Sequence, residues 1–408
     1  MWEKGINIHE VKEIRSGSFI YFGVGAINKI NAIAKELKER NINKILVVCG
    51  KSSYKLSGAW EPTEKALKEN NIEFKIYDSV TPNPTTHQVD QAAKIGREFG
   101  AQAVLAIGGG SPIDAGKSIA ILLKNTDKTA RELYEYKFAP KEAAPVIAIN
   151  LTHGTGTEAD RFAVVSIPET ETKPAIAYEC IYPLFSIDDP ALTTKLPKEQ
   201  TLYVTIDALN HVLESCSNIT TSPLAILFTK EAVRLIAKYL PVALENAEDL
   251  TARYYLMYAA MIAGISFDSA RLHFTHALEH PMSGIKPELP HGLGLAMLLP
   301  AVIKKIYASK AEILSDVLEP IVPGLNGTAG EAEKAAIGIE KWLFSLGVTS
   351  KLADQGFKLE DIDVLTKQVF ETASLAGLLK LAPVPADENT VKEIYTESFS
   401  PIGNVAVK

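Results

Sequence analysis

The feature that most limits the fold is a change of hydrophobic period part-way along the chain. Up to about residue 190, short apolar runs alternate with helical segments. The runs are Ser18 to Phe22, Lys44 to Cys49, Phe74 to Tyr77, Ala103 to Ile107 and Val146 to Ile149. Helical spacing fills Ala26 to Arg40, Glu61 to Asn70, Gln88 to Phe99 and a stretch from about Pro112. Strands separated by helices have crossover connections, which make the sheet parallel. From Gln200 onward the periodic segments are helical: 200–217, 222–240, 250–269, 271–280, 292–306, 310–316, 329–345 and 359–374. The expectation is an α/β plus all-α protein, cut near Asp189-Pro190 into a parallel-sheet domain (1–189) and a helical domain (190–408).

The helical half carries the densest chemistry. Residues 273–291 hold four of the eight histidines: His273, His276, His280 and His291. His276 and His280 are four apart and share a helix face. Pro281 has no N–H and is expected to end that helix nearby. Pro290-His291-Gly292 opens the next apolar run, so His291 can fold back toward His276. Asp207 and His211 make a second pair at i and i+4. Two such pairs can enclose a divalent ion, giving the set Asp207, His211, His276 and His291. Oxygen and nitrogen donors without thiolate suit Fe(II), Zn(II), Mn(II), Co(II) or Ni(II). The bland alternative, unrelated core and surface histidines, fits this clustering poorly.

The strand-rich half offers two polar loops. Gly108-Gly109-Gly110-Ser111-Pro112-Ile113-Asp114-Ala115-Gly116-Lys117 follows a strand and opens a helix. Glycines let the backbone approach a phosphate, and a helix N-terminus offers unpaired N–H groups. The run is neither Gly-x-Gly-x-x-Gly nor a Walker loop. Thr152-His153-Gly154-Thr155-Gly156-Thr157-Glu158 follows the next strand. Together the two loops describe a dinucleotide lying across strand ends.

Composition excludes some classes. A net charge of −7 argues against a nucleic-acid binder. Cys49, Cys180 and Cys216 form no Cys-x-x-Cys, so a cytoplasmic home is expected. The start, Met1 to Gly5, lacks a signal-peptide pattern. The apolar run Tyr254 to Phe267 is too short to span a bilayer, and no membrane partner is expected.

These motifs, in this order, resemble the iron-dependent (group III) alcohol dehydrogenases, relatives of glycerol dehydrogenase and dehydroquinate synthase. The resemblance rests on Gly-Gly-Gly-Ser-x-x-Asp-x-x-Lys at 108–117, Asp-Ala-Leu-x-His at 207–211, and His-Ala-x-x-His-Pro with a later Pro-His-Gly at 276–292. Pro82-Asn83-Pro84-Thr85 and Gly-Thr-Gly-Thr-Glu at 154–158 also match. It implies a dehydroquinate synthase-like fold, with a nucleotide-binding domain, a helical metal-binding domain and an active site in the cleft between. It implies Fe(II), or alternatively Zn(II) or another divalent metal, on Asp207, His211, His276 and His291. His280 would stand beside the metal, as a proton relay or a support. Asn83, Gly109, Gly110, Ser111, Pro112, Thr152, Thr155, Lys173 and Leu192 fall on cofactor-contacting positions. Phe162 and Phe267 fall where the family lines its substrate pocket. The implied reaction is hydride transfer between a primary alcohol or its aldehyde and a nicotinamide cofactor, with a homodimer as the assembly considered. A glycerol-type polyol dehydrogenase and a dehydroquinate synthase-like lyase are the alternatives.

The chain departs from the family pattern at Leu151, His153, Arg271, His273 and the Lys286-Pro287-Glu288 loop. His153 is expected to bring an imidazole near the cofactor. A further departure concerns the cofactor itself. NAD-using members resembling this chain carry an Asp in a Val-Thr-Asp run, where it meets the ribose 2′-hydroxyl. Here the run is Val48-Cys49-Gly50, followed by Lys51-Ser52-Ser53. Gly50 removes the negative charge, while Lys51, Ser52 and Ser53 can bind a 2′-phosphate. NADP(H) is therefore expected over NAD(H).

Overall fold

A computed structural model describes residues 15–403. Among them, the strands are β1 (Phe19–Phe22), β2 (Lys44–Cys49), β3 (Glu73–Tyr77), β4 (Ala103–Gly108), β5 (Val146–Asn150), β6 (Phe162–Val164), β7 (Ala175–Ala177) and β8 (Phe185–Asp188). The helices between them are α1 (Ile30–Glu39), α2 (Ser53–Leu56), α3 (Trp60–Glu69), α4 (Thr86–Phe99), α5 (Gly110–Lys124) and α6 (Ala130–Tyr134). Six strands form one parallel sheet in the order β1-β8-β5-β4-β2-β3, and β6 pairs antiparallel with β7. In β2 the side chains alternate between two cores. Ile45, Val47 and Cys49 enter one core, which includes Ile33 and Leu37 of α1 and Leu67 of α3. Leu46 and Val48 enter the other, with Val89 of α4 and Ile119 of α5. Burial on both faces is why these strands read as continuous apolar runs.

The chain order places the loops. After β3 at one edge the chain returns to β4 on the far side of β2, so the connections diverge between β2 and β4. Open α/β sheets bind ligands at such a point, beyond the carboxyl ends of the strands. Gly50 follows β2, and Gly108 ends β4 in register with Asn150 of β5, itself in register with Asp188 of β8. Every loop singled out in the first half, apart from that at Asn83, leaves one of these strand ends.

The strand β8 was not expected. Phe185-Ser186-Ile187-Asp188 is half polar, so its run carries no apolar signal. Its polar groups are held inside: Ser186 donates to the Glu158 carbonyl at 2.7 Å, and Asp188 Oδ1 accepts from Asn150 at 3.0 Å.

The remaining helices are α7 (Lys198–Ser217), α8 (Pro223–Glu245), α9 (Leu250–Ala270), α10 (Phe274–Ile285), α11 (His291–Ile306), α12 (Ala311–Leu318), α13 (Ala332–Ser345), α14 (Asp361–Glu371), α15 (Ala373–Leu379) and α16 (Glu388–Glu397). The chain packs as two compact units. One holds Ser16–Thr201 and Val242–Ile265, and the other Leu202–Pro241 and everything described from Ser266 onward. The sequence reading cut the chain once, at 189/190. By packing, residues 190–201 and Val242–Ile265 group with the strands, and Arg15 groups with the helical unit. The stretch His291–Ser309 is long and apolar enough to cross a membrane, but 78% of it is buried inside the protein, as befits a core helix.

Pro281 does not end its helix. Helix α10 runs on to Ile285, with Pro281 inside it and eleven of its residues buried, Phe274 to Gly284. Proline removes one backbone hydrogen bond and crowds the carbonyl of Ala277. Burial of the whole segment outweighs that cost. The turn falls instead at Lys286, just before Pro287.

Candidate metal centre and cofactor loops

The four expected ligands come together within the helical unit. Asp207 and His211 lie one turn apart on α7, His276 lies on α10, and His291 is the first residue of α11, which Pro290 caps. Asp207 Oδ1 is the hub. It lies 3.3 Å from His276 Nε2, 3.5 Å from His211 Nε2 and 3.8 Å from His291 Nε2. Charge-assisted hydrogen bonds are shorter, about 2.7–2.9 Å. Ligands about 2.1 Å from one tetrahedral ion stand about 3.4 Å apart. The donor types fit a divalent ion, and ligand atoms of Asp207, His276 and His291 lie within 4.8 Å of one another, with His211 Nε2 on the same Asp207 oxygen.

Outward contacts hold two of the rings. His276 Nδ1 donates to Glu214 Oε2, and His291 Nδ1 donates to Glu279 Oε2. Glu214 Oε1 also accepts from the backbone N–H of Thr275 at 2.6 Å and of His273 at 3.2 Å, at the start of α10. His211 is fixed differently. Its ring stacks on His276, with centroids 4.4 Å apart, and on Phe267 at 4.5 Å. Its Nδ1 is buried without a hydrogen-bond partner among the described residues.

Electrostatics follow from this arrangement. Burial alone would strip the charge from His276, but Glu214 on one nitrogen and Asp207 on the other hold its pKa up to about 9. Burial would likewise raise Asp207, yet the surrounding His211, His276 and His291 keep it well below the usual carboxylate range. Burial and the neighbouring histidines push His211 down to about 4, although Asp207 opposes them. His280 is buried beside the set, its ring centroid 5.6 Å from that of His291. His273 is not at the centre. Its Nδ1 accepts from the N–H of Phe274 at 2.7 Å, so its Nε2–H donates to Ser217 at 2.9 Å. It caps α10.

The strand-bearing unit brings the two polar loops together. A side chain on Gly109 would strike Thr152 Cγ2 at 2.7 Å, and one on Gly110 would strike Thr155 Cγ2 at 2.5 Å. Ser111 and Pro112 continue from there into α5. Leu192 is buried in the turn after β8, and Lys173 is buried between β6 and β7. Asn83 takes a left-handed backbone, φ 52°, ahead of the capping box that starts α4. Lys51, Ser52 and Ser53 are exposed beyond β2. Of the two phenylalanines expected to line the pocket, Phe162 opens β6 in this unit, whereas Phe267 stacks on His211 in the other.

Two motif residues act within the scaffold. Lys117 is fully buried, its Nζ ringed by the carbonyls of Thr157, Asp160 and Phe162 at 2.6–2.9 Å and by Asp160 Oδ1 at 2.9 Å. Asp114 accepts from Thr157 Oγ1 at 2.7 Å and from the N–H of Val164 at 3.0 Å. They tie α5 to the segment 157–164 and so hold the loops against each other. His153 is held within the same unit. Its ring is fully buried and its Nε2 accepts from Arg253 at 2.9 Å. Burial, then the Arg253 charge, pushes its pKa down to about 3, so it is a neutral anchor for its loop.

Comparison with known proteins decides between the remaining families. The family model for iron-containing alcohol dehydrogenase matches residues 17–190, and that for the C-terminal part of the Fe-containing alcohol dehydrogenase family matches 201–399. The chain belongs to the iron-containing alcohol dehydrogenase family. It is 57% identical over 98% of its length to all of the long-chain primary alcohol dehydrogenase AdhA of Thermoanaerobacter ethanolicus. It is 32% identical to NADH-dependent butanol dehydrogenase B of Clostridium acetobutylicum, covering 93% of this chain and 97% of that one. Among solved structures, the archaeal halo-thermophilic Red Sea brine pool alcohol dehydrogenase ADH/D1 aligns with a TM-score of 0.88 at 29% identity, over 96% of this chain and all of that one. The fold is that of these enzymes, a parallel-sheet part and a helical part of dehydroquinate synthase-like type.

The sequence reading missed Glu214 and Glu279. Glu214 lies seven residues after Asp207, two turns along the same helix face, and Glu279 directly precedes His280. Both spacings were visible, but glutamates on helices usually face solvent, and only packing shows these two buried.

Proposed function

We propose that the protein interconverts primary alcohols and their aldehydes, long-chain ones included, with NADP(H) as the preferred hydride carrier. The observation that supports it best is the cluster in which Asp207, His276 and His291 bring ligand atoms within 4.8 Å of one another, with His211 Nε2 3.5 Å from the same Asp207 oxygen. A divalent ion held by Asp207, His211, His276 and His291, Fe(II) by family, supplies a Lewis acid for an alcohol or carbonyl oxygen. The side chain of His291 is 25% exposed, the most open of the four, and gives that oxygen its approach. Phe267 holds the His211 ring flat and adds apolar surface for a substrate chain. The loops Gly109 to Pro112 and Thr152 to Thr155 hold the pyrophosphate and nicotinamide half of the cofactor, while Asn83, Lys173 and Leu192 complete its bed. The long-chain preference rests on the likeness to AdhA. Neither the polyol nor the lyase reading gains support from the comparisons. The free thiols suit a reducing, cytoplasmic setting.

The cofactor preference rests on the turn after β2. A side chain on Gly50 would meet only the Val80 carbonyl, at 3.4 Å, and Ser53 Oγ, at 3.7 Å. The first carbon of a side chain is therefore accommodated there, so close packing alone does not account for the glycine. Each charge-assisted hydrogen bond from Lys51, Ser52 or Ser53 to a 2′-phosphate contributes about 1.5–3 kcal/mol, roughly ten- to a hundredfold. Two relatives are called NADH-dependent butanol dehydrogenases, so family membership does not decide the matter. Catalytic efficiency is to be measured with NADPH and NADH along a series of primary alcohols and aldehydes of increasing length. The wild type should prefer NADPH, and Gly50→Asp should weaken NADPH far more than NADH. No turnover of any primary alcohol overturns the activity; a wild type that prefers NADH overturns the cofactor assignment alone.

His280 is proposed to pass the alcohol proton outward. It is buried within ring contact of His276 and His291 yet is not one of the four ligands. His280→Phe keeps the bulk and should keep the metal while changing the pH profile of turnover. A pH profile like that of the wild type leaves His280 with a packing role only.

A further inference from the structure

We infer that Glu214 and Glu279 are positioning residues that set which nitrogen of His276 and His291 faces the metal. This rests on the four-ligand reading above. An imidazole can present either ring nitrogen, and the partner of the other nitrogen decides which. Glu214 Oε2 accepts from Nδ1–H of His276, and Glu279 Oε2 accepts from Nδ1–H of His291, so both Nε2 atoms are the ones that face Asp207 Oδ1. Both carboxylates are buried, at 2% and 0% exposure, where a charge persists only with partners that need it.

Each carboxylate is itself held. Glu214 Oε1 takes the Thr275 and His273 N–H groups, so one side chain caps α10 and orients a ligand two residues inside it. Glu279 Oε1 accepts from Ser283 Oγ, one turn along α10. Gly294 leaves the room: a side chain there would strike Glu279 Cγ at 2.7 Å and Oε1 at 3.0 Å. Glu279 belongs to α10 and His291 to α11, so this contact also sets the angle at which α11 delivers its ligand. Glu279, His280 and His291 lie close enough to be read as a metal trio of their own. The Glu279 carboxylate faces Nδ1 of His291, however, on the side of the ring away from Asp207, which makes it an orienting group. His211 lacks such a carboxylate and is oriented by its two stacked rings.

Glu279→Gln separates charge from shape. A glutamine amide oxygen can still accept from His291 and its NH2 can still donate to Ser283, so the packing survives and only the negative charge is lost. The probe is Zn(II) alone, titrated against a chromophoric chelator at fixed pH. Glu279→Gln should bind Zn(II) about 10- to 100-fold more weakly than wild type with unchanged circular dichroism. Glu279→Gln with wild-type affinity overturns the inference. Wild type that binds no Zn(II) overturns the ligand set instead, so the two failures are distinct. Should the variant not fold, nitrogen-15 NMR of histidine-labelled wild type with Zn(II) decides. A proton on Nδ1 of both His276 and His291 supports the assignment, and metal-bound Nδ1 on either of them sinks it.

Discussion

His276→Ala is expected to lose its metal and its activity together while keeping its fold. His276 is the ligand most deeply tied into the site, with Asp207 on one nitrogen and Glu214 on the other. Removing it deletes one of four donors and the stacking partner of His211. The loss of Lewis-acid assistance amounts to several kcal/mol of barrier, so catalytic efficiency should fall at least about a thousandfold. The fold should survive because Glu214 keeps its bonds to the backbone N–H groups of Thr275 and His273, and is not stranded as a buried unpaired charge. Metal content after anaerobic reconstitution, circular dichroism and turnover are the three readouts. A variant with full metal occupancy would falsify the ligand assignment. A variant without metal that still turns over at the wild-type rate would detach the reaction from this site.

What the sequence disclosed followed physical regularities with a short range. Residues at i and i+4 share a helix face, so the pairs Asp207 with His211 and His276 with His280 could be placed before any packing was known. Strand ends followed by glycine announced the loops at Gly108 and Thr152, and the register of β4 with β5 brings them side by side. What stayed hidden depended on burial or on distant partners. Asp114 and Lys117 sit in a phosphate-type motif, yet they bond to residues about forty positions away and brace the loop from behind. His153 was expected near the cofactor because of its neighbours in sequence; its bond to Arg253, a hundred residues on, could not be read there. Pro281 looked like a helix end because local rules penalise it there. A fully buried segment overrides that penalty. Only a three-dimensional environment distinguishes Glu214 and Glu279 from ordinary helix-surface glutamates.

The second large effect is expected from one methyl group at the head of α11. Gly292 packs on the backbone of α7: a side chain there would lie 1.9 Å from the carbonyl oxygen of Tyr203 and 2.5 Å from its carbonyl carbon. Neither partner is the flexible end of a side chain, so Gly292→Ala must push the two helices apart by about 1 Å or more to regain ordinary contact. Overpacking of this kind costs roughly 1–3 kcal/mol of stability, and here the strain falls next to a ligand. His291 is the preceding residue, and its Nε2 already stands farthest from Asp207, at 3.8 Å. Metal–ligand distances tolerate only about ±0.2 Å. The variant should therefore bind Zn(II) at least about tenfold more weakly and melt at a lower temperature. Gly377→Ala in α15 is the matched control, because nothing lies within 4 Å of a side chain there. It should leave metal affinity alone and stabilise its helix by up to about 1 kcal/mol. If Gly292→Ala matched this control in both melting temperature and Zn(II) affinity, the close approach of α7 and α11 would not be what brings His291 to the metal.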